Sequence, residues 1–79
     1  MGYHKKEIKK GIVGEFSKIE EEFDELKDAN DQGDVILQLC ELCDLMGAIE
    51  AYIAKYNLTI EDLKKFSDKT RQSFKEGLR

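Results

Sequence analysis

The segment from Val35 to Ala54 is apolar over almost its whole length, yet it contains three acidic residues and no basic one. Its length and the recurrence of large apolar residues every three or four positions predict one buried α-helix. The acids are Glu41, Asp44 and Glu50. Glu41 and Asp44 are three positions apart, so on a helix they point in the same direction. A buried carboxylate is costly unless a positive charge neutralises it, which favours a divalent cation beside this pair.

The same periodicity predicts two further helices and no strand. The first helix is expected from Lys5 to Asn30, although Gly11 and Gly14 each weaken its beginning by about 1 kcal/mol relative to alanine. The second helix is expected from Val35 to Tyr56 and the third from residue 60 to Gly77. The residues between them are typical of helix ends. Asp34 suits an N-cap, Asn57 suits a left-handed C-terminal residue, and Thr59 with Asp62 resembles a capping box.

These elements predict an all-α fold in a single domain, residues 1–79. The short turns favour an antiparallel helical hairpin, with the third helix packed across it. The second helix is apolar on nearly all sides, and one small chain cannot surround it with only two neighbouring helices. We therefore expect a homodimer or homotetramer that completes a core of the four-helix-bundle type.

Composition excludes several classes of function. The formal net charge of −4 argues against binding to a nucleic-acid polymer. Three central acids argue against insertion of Val35–Ala54 into a membrane. The N-terminus lacks the apolar core of a signal peptide, and Cys40 and Cys43 are expected to pack as free thiols, so we expect a cytoplasmic protein. Cys40-x-x-Cys43 with His4 as the only histidine is an incomplete zinc site, and the Glu-x-x-His pairs of a di-iron bundle are missing.

A second pair of acids lies on the first helix. Glu22 and Glu25 flank its apolar stripe, whereas Glu20 and Asp24 face solvent. In an antiparallel hairpin, Glu22 and Glu25 lie at a height similar to that of Glu41 and Asp44, because both pairs are about equally far from the turn. Four converging carboxylates are typical of a site for a hard cation, Mg²⁺ or Mn²⁺.

The spacing Glu22-x-x-Glu25, then fifteen residues, then Glu41-x-x-Asp44 resembles the signature of the MazG-like all-α nucleoside triphosphate pyrophosphohydrolases. The sequences around the two acid pairs, residues 18–26 and 41–45, are similar to the two acidic helices of that family. The resemblance covers about Phe16 to Ile53 and extends more loosely to the third helix.

The resemblance implies a reaction and a set of roles. Members of the family hydrolyse a nucleoside triphosphate between the α and β phosphates and use Mg²⁺ held by the four acids. Glu21 is then a candidate for orienting or deprotonating the attacking water. Lys65, Lys69 and Arg71 of the third helix are candidates for binding the triphosphate, together with Lys64.

Other readings of the sequence stay open. The chain has no evident region for reading a nucleobase, so the base contacts are expected from a partner subunit, the N-terminal segment, or Tyr52 and Tyr56. Phosphoribosyl-ATP, the substrate of a related branch, is an alternative substrate. A rival function is a non-catalytic, homo-oligomeric interaction module in which the acids form a surface patch. A third is a small acidic regulator of a basic protein.

Overall fold

The chain folds entirely into helices and connecting segments over the residues that the computed structural model describes, 4–75 and Gly77. Helix α1 spans Phe16–Gln32, α2 spans Val35–Ile53 and continues as a 3₁₀ turn at Ala54–Tyr56, and α3 spans Ile60–Lys75. No strand occurs in these residues. The predicted all-α class with three helices is confirmed, and α2 and α3 begin where the capping residues indicated.

Helices α1 and α2 form an antiparallel hairpin, which is the main interface of the fold. Gly33 ends α1 with a φ of 71°, a left-handed conformation that glycine adopts without steric cost. The side chain of Asp34 then accepts a 3.0 Å hydrogen bond from the backbone N–H of Leu37 and caps α2. At the other end of the hairpin, the rings of Phe16 and Tyr52 meet edge to face at 6.0 Å. The start of α1 therefore lies beside the end of α2.

The prediction that the first helix begins at Lys5 is wrong, because residues 4–15 are not helical. Gly14 has a φ of 91°, which is a left-handed conformation outside the helical range. Gly11 lies so close to α1 that a Cβ atom there would be 2.2 Å from the carbonyl oxygen of Ser17. The segment runs back along α1 and brings His4 to Asp28. Contacts far apart in sequence thus override the helical spacing of the apolar residues in this segment.

Helix α3 begins with the predicted capping box but does not pack across the hairpin. The backbone N–H of Thr59 donates to the Asp62 carboxylate at 2.9 Å, and the N–H of Asp62 donates to Thr59 Oγ1 at 3.2 Å. These hydrogen bonds lower the pKa of Asp62. The expected packing is wrong because α3 makes no extended interface with either hairpin helix among the described residues. Phe66 on α3 is accordingly 68% exposed.

The interior of the hairpin contains acids, whereas much of its apolar surface faces outward. The residues that are almost fully buried are four acids and three apolar residues: Glu21, Glu22, Asp28, Glu41, Ala29, Ala48 and Ile53. The apolar side chains that stand about half exposed include Phe16, Phe23, Leu39, Leu42 and Met46. Phe16 and Phe23 belong to the apolar stripe of the first helix, so in a single chain this stripe does not form the core. None of the described helices combines the length and hydropathy needed to span a membrane.

Candidate metal centre

The acids that the sequence singled out converge between α1 and α2. We refer to Glu22, Glu25, Glu41 and Asp44 as the carboxylate cluster. One ligand oxygen from each of Glu22, Glu41 and Asp44 lies within 4.8 Å of the other two. Glu25 joins Glu22 and Glu21 in a second group with the same spacing, and it joins Glu41 and His4 in a third. The predicted convergence of the two acid pairs is therefore present in the fold.

Two members of the carboxylate cluster are buried and incompletely hydrogen-bonded. Glu22 and Glu41 are each only 5% exposed. Atoms Glu22 Oε1 and Glu41 Oε1 are buried and have no hydrogen-bond donor within the described part of the chain. Burying an ionised oxygen without a partner is strongly unfavourable. These two atoms are therefore the strongest structural indication that the cluster accommodates a cation.

Lys18 is a basic side chain that contacts two of the buried acids of α1. Its Nζ lies 3.0 Å from Glu22 Oε2 and 3.2 Å from Glu21 Oε1. Glu21 also accepts a 2.7 Å hydrogen bond from the backbone N–H of Gly11. Burial alone would raise the pKa of Glu21, but the bonds from Gly11 and Lys18 outweigh it and lower that pKa. Glu21 is thus an ionised anchor for the N-terminal segment, and these contacts favour a positioning role.

The pKa of Glu25 is raised by its burial among other negatively charged side chains. Burial, followed by the hydrogen bond with the Glu22 carboxyl and then by the charges of Glu22 and Glu41, raises the pKa of Glu25 to about 7. Lys18 contacts Glu21 and Glu22, so its charge is shared between two other carboxylates. In the absence of a cation, Glu25 therefore holds a proton until near-neutral pH.

His4 and Asp28 are the site residues that the sequence analysis missed. The imidazole bridges two acids, with Nδ1 2.9 Å from Asp28 Oδ2 and Nε2 3.0 Å from Glu41 Oε2. Burial lowers the pKa of His4, but the contacts with Asp28 and Glu41 outweigh it and raise that pKa. One signal for Asp28 was present in the sequence, because Glu21, Glu25 and Asp28 recur at helical spacing on one face of α1. No local pattern indicated His4.

The carboxylate cluster opens to solvent through two cavities. The larger has a volume of about 470 Å³ and is lined by His4, Glu25, Glu41 and Asp44 among others. The second, of about 410 Å³, is lined by Lys18, Glu22 and Asp44 together with residues of α2. Asp44 is itself exposed and borders both cavities. A ligand therefore has a route to the buried oxygens from the surface.

The candidate phosphate-binding residues lie on α3 and do not line either of these cavities. Lys65 and Lys69 line a separate surface cavity of about 210 Å³ beside Phe66. Arg71 is exposed and lies 3.7 Å from the carboxylate of Asp68 on the same helix. Within a single chain, the fold does not bring these three bases to the cavities of the carboxylate cluster.

The two cysteines do not pack as the sequence predicted. Cys40 and Cys43 are both free and exposed in the single chain. Each lies on a part of α2 that borders one of the two cavities, Cys40 the larger and Cys43 the smaller. Glu50, the third acid of the apolar segment, is exposed and lies outside every group of potential metal ligands found among the described residues.

Comparison with protein-family models, curated proteins and solved structures found no match to this chain.

Proposed function

We propose that this protein is a Mg²⁺-dependent, MazG-like nucleotide pyrophosphohydrolase. It would cleave a ribo- or deoxyribonucleoside triphosphate between the α and β phosphates to give a monophosphate and pyrophosphate. The observation that carries the proposal is the pair of buried, unpartnered oxygens Glu22 Oε1 and Glu41 Oε1. They lie within a carboxylate cluster whose spacing in sequence resembles the metal-binding signature of that family.

The electrostatics of the cluster support a divalent cation. Six acids lie close together here: Glu21, Glu22, Glu25, Asp28, Glu41 and Asp44. The bases that contact them at 3.2 Å or less are Lys18 and, when protonated, His4. The excess of negative charge is destabilising without a counter-ion and becomes favourable when a cation occupies the cluster.

The openness of the site supports Mg²⁺ and a phosphate substrate. Mg²⁺ usually retains several waters and is held by a few carboxylates together with substrate phosphates. Buried Glu22 and Glu41 would provide fixed ligands. Exposed Asp44 would lie at the boundary between the protein ligands and the substrate phosphates. A bound Mg²⁺ would neutralise phosphate oxygens, orient the attacking water and stabilise the leaving pyrophosphate.

The apolar exterior supports a homo-oligomer as the active form. Burial of one exposed Leu, Met or Phe side chain contributes about 1.5–3 kcal/mol, and Leu39, Leu42 and Met46 lie exposed along α2. The radius of gyration is 14.9 Å, whereas a compact chain of this length is expected to have about 11.6 Å. We propose that a second copy covers this face. Its α3 could then supply Lys65, Lys69 or Arg71 to the phosphates.

The exposed apolar face also favours a second candidate function. In that alternative, the protein is a non-catalytic homo-oligomeric interaction module, and the carboxylate cluster is a patch of acidic residues. The two functions differ in their need for metal. The interaction module assembles whether or not Glu41 is ionisable, whereas the hydrolase loses all turnover when this ligand is neutralised.

A product assay tests the proposed function. Purified protein is incubated with a panel of NTPs, dNTPs and phosphoribosyl-ATP in the presence of Mg²⁺, and the products are resolved by ion-exchange chromatography. The proposal predicts a monophosphate and pyrophosphate in equal amounts from at least one nucleotide. Glu41→Gln should abolish the reaction, whereas Glu50→Gln, the same change at an exposed position of α2, should retain it. Absence of cleavage for the whole panel would contradict the proposal.

A further inference from the structure

His4 has a contact geometry that the proposed function does not use. It lies on the non-helical N-terminal segment, yet its ring is inserted between two buried acids of different helices. Its side chain is 10% exposed, and the side chains of Asp28 and Glu41 are 2% and 7% exposed. A ring held at both nitrogens in this way has a fixed position and orientation.

Asp28 holds the Nδ1 edge of the imidazole in place. Its Oδ2 accepts hydrogen bonds from His4 Nδ1 at 2.9 Å, from the backbone N–H of Lys5 at 3.1 Å and from Gln32 Nε2 at 2.9 Å. An ionised carboxylate only accepts hydrogen bonds, so the network places a proton on Nδ1. Nε2 faces the Glu41 carboxylate, and release of the proton between them leaves a lone pair on Nε2 for a metal ion. Metal-binding histidines are commonly oriented in this way, by a carboxylate that accepts from the nitrogen opposite the metal.

Nε2 points into a group of carboxylates with the spacing of metal ligands. His4 Nε2 lies 3.0 Å from Glu41 Oε2. Metal–ligand bonds of about 2.1 Å place adjacent ligand atoms about 3.0 Å apart at right angles and about 3.4 Å apart at the tetrahedral angle that is usual for Zn²⁺. One oxygen of Glu25 completes a group of three ligand atoms that lie within 4.8 Å of one another. Glu41 Oε1 is buried without a donor among the described residues, so this carboxylate has an oxygen left for a second ion.

We propose that His4, Glu25 and Glu41 form a metal position that prefers a first-row transition-metal ion such as Zn²⁺ to Mg²⁺. An imidazole nitrogen suits Zn²⁺ and its neighbours in the first row, whereas Mg²⁺ favours oxygen ligands. The all-oxygen group of Glu22, Glu41 and Asp44 is then the Mg²⁺ position, and Glu41 is shared between the two. This inference rests on the same carboxylate cluster as the proposed function, but it concerns which metal the cluster holds and which segment supplies a ligand.

The presence of a single histidine makes a direct test possible. The full chain, free of any histidine tag, is labelled with ¹⁵N-histidine and titrated with Zn²⁺, and the ring nitrogens are followed by NMR. The proposal predicts that Nε2 moves to the resonance of a metal-bound nitrogen while Nδ1 keeps its proton. An Nε2 resonance that is unchanged in the Zn²⁺-loaded protein, or a protein that binds no Zn²⁺, would overturn the proposal.

Calorimetric titrations of variants provide the second measurement. Loss of an outer-shell partner typically weakens metal binding by about 10–100-fold, and loss of a ligand should cost at least as much. We expect His4→Asn to weaken Zn²⁺ binding at least about tenfold and Asp28→Asn to weaken it by about tenfold, with Mg²⁺ binding changed less than about twofold by His4→Asn. Lys6→Gln is the matched control, because it removes another anchor of the same segment, the ion pair with Asp31. Equal Zn²⁺ affinity in wild type and His4→Asn would overturn the proposal.

The outcomes separate this inference from the proposed function. Nucleotide cleavage with Mg²⁺, together with an Nε2 resonance that Zn²⁺ does not move, overturns the role of His4 and leaves the hydrolase standing. A metal-bound Nε2 in a protein that cleaves no nucleotide supports the role of His4 and removes the hydrolase.

Discussion

The backbone N–H of Gly11 donates a 2.7 Å hydrogen bond to Oε1 of Glu21, and this contact ties the N-terminal segment to the first turns of α1. Along the segment it lies between the bond from Ile12 N–H to Ser17 Oγ and the contacts that His4, Lys5 and Lys6 make with the hairpin. The path of the segment, and with it the position of His4, therefore depends on close backbone approach at Gly11.

A methyl group at position 11 should release the segment. In Gly11→Ala, the Cβ would stand 2.2 Å from the carbonyl oxygen of Ser17, so the segment must move away from α1. We expect faster amide hydrogen exchange over residues 4–15 and earlier cleavage there by proteases. Gly47→Ala is the control, because its Cβ meets nothing within 4 Å and alanine is favoured over glycine in a helix by up to about 1 kcal/mol. Equal protection of residues 4–15 from hydrogen exchange and proteolysis in both variants would show that the close approach at Gly11 does not keep the segment against α1.

Neutralising Glu25 should stabilise the metal-free protein at alkaline pH. The folded-state pKa of Glu25 is about 7, above the unfolded value of about 4.3. Its contribution to stability is therefore fully present below the unfolded pKa and is lost as the pH rises through the folded pKa. We expect Glu25→Gln to raise the free energy of unfolding at pH 8 by on the order of 1–3 kcal/mol, with little change at pH 4.

Chemical denaturation at the two pH values, in the presence of EDTA, measures this difference. Glu20→Gln removes a carboxylate from an exposed position of the same helix and should leave the pH dependence unchanged. If the free energy of unfolding of Glu25→Gln varies with pH in the same way as that of the wild type, the pKa of Glu25 is not raised in the folded protein.

A charge on the exposed apolar face of α2 should dissociate the proposed homo-oligomer. Leu42 is 47% exposed in the single chain and lies between the exposed side chains of Leu39 and Met46. Burial of a glutamate in an apolar interface is strongly unfavourable, so Leu42→Glu should give a monomer under conditions in which the wild type is a dimer or tetramer. Sedimentation velocity at micromolar concentration measures the change. A monomeric wild type would contradict the proposed oligomer.

The parts of the fold that the sequence predicted well are those encoded by neighbouring residues. Asp34 caps α2, Asn57 adopts a φ of 59°, and Thr59 and Asp62 form a capping box. Each of these signals acts over three or four residues, so sequence reading recovers it. The convergence of the acid pairs was also predicted, because it requires only helical periodicity and a short turn.

The parts that the sequence did not predict depend on contacts between distant residues. His4 is 24 residues from Asp28 and 37 from Glu41, so nothing in its neighbourhood identified the partners. Ile8 and Ile12 continue the helical spacing of the apolar residues of α1. This spacing therefore did not indicate that the helix begins only after Gly14. The sequence also did not predict that Glu21 and Asp28 are almost fully buried while Phe16 and Phe23 of the same helix are about half exposed.

A calorimetric titration of Mg²⁺ into the EDTA-treated protein tests the metal centre most directly. We predict saturable binding to the wild type and to Glu50→Gln, which removes an exposed carboxylate from α2. We predict binding weakened at least about 100-fold in Glu41→Gln, because loss of a ligand should exceed the 10–100-fold cost of losing an outer-shell partner. Equal Mg²⁺ affinity in the wild type and Glu41→Gln would contradict the metal centre, and so would the absence of Mg²⁺ binding to the wild type.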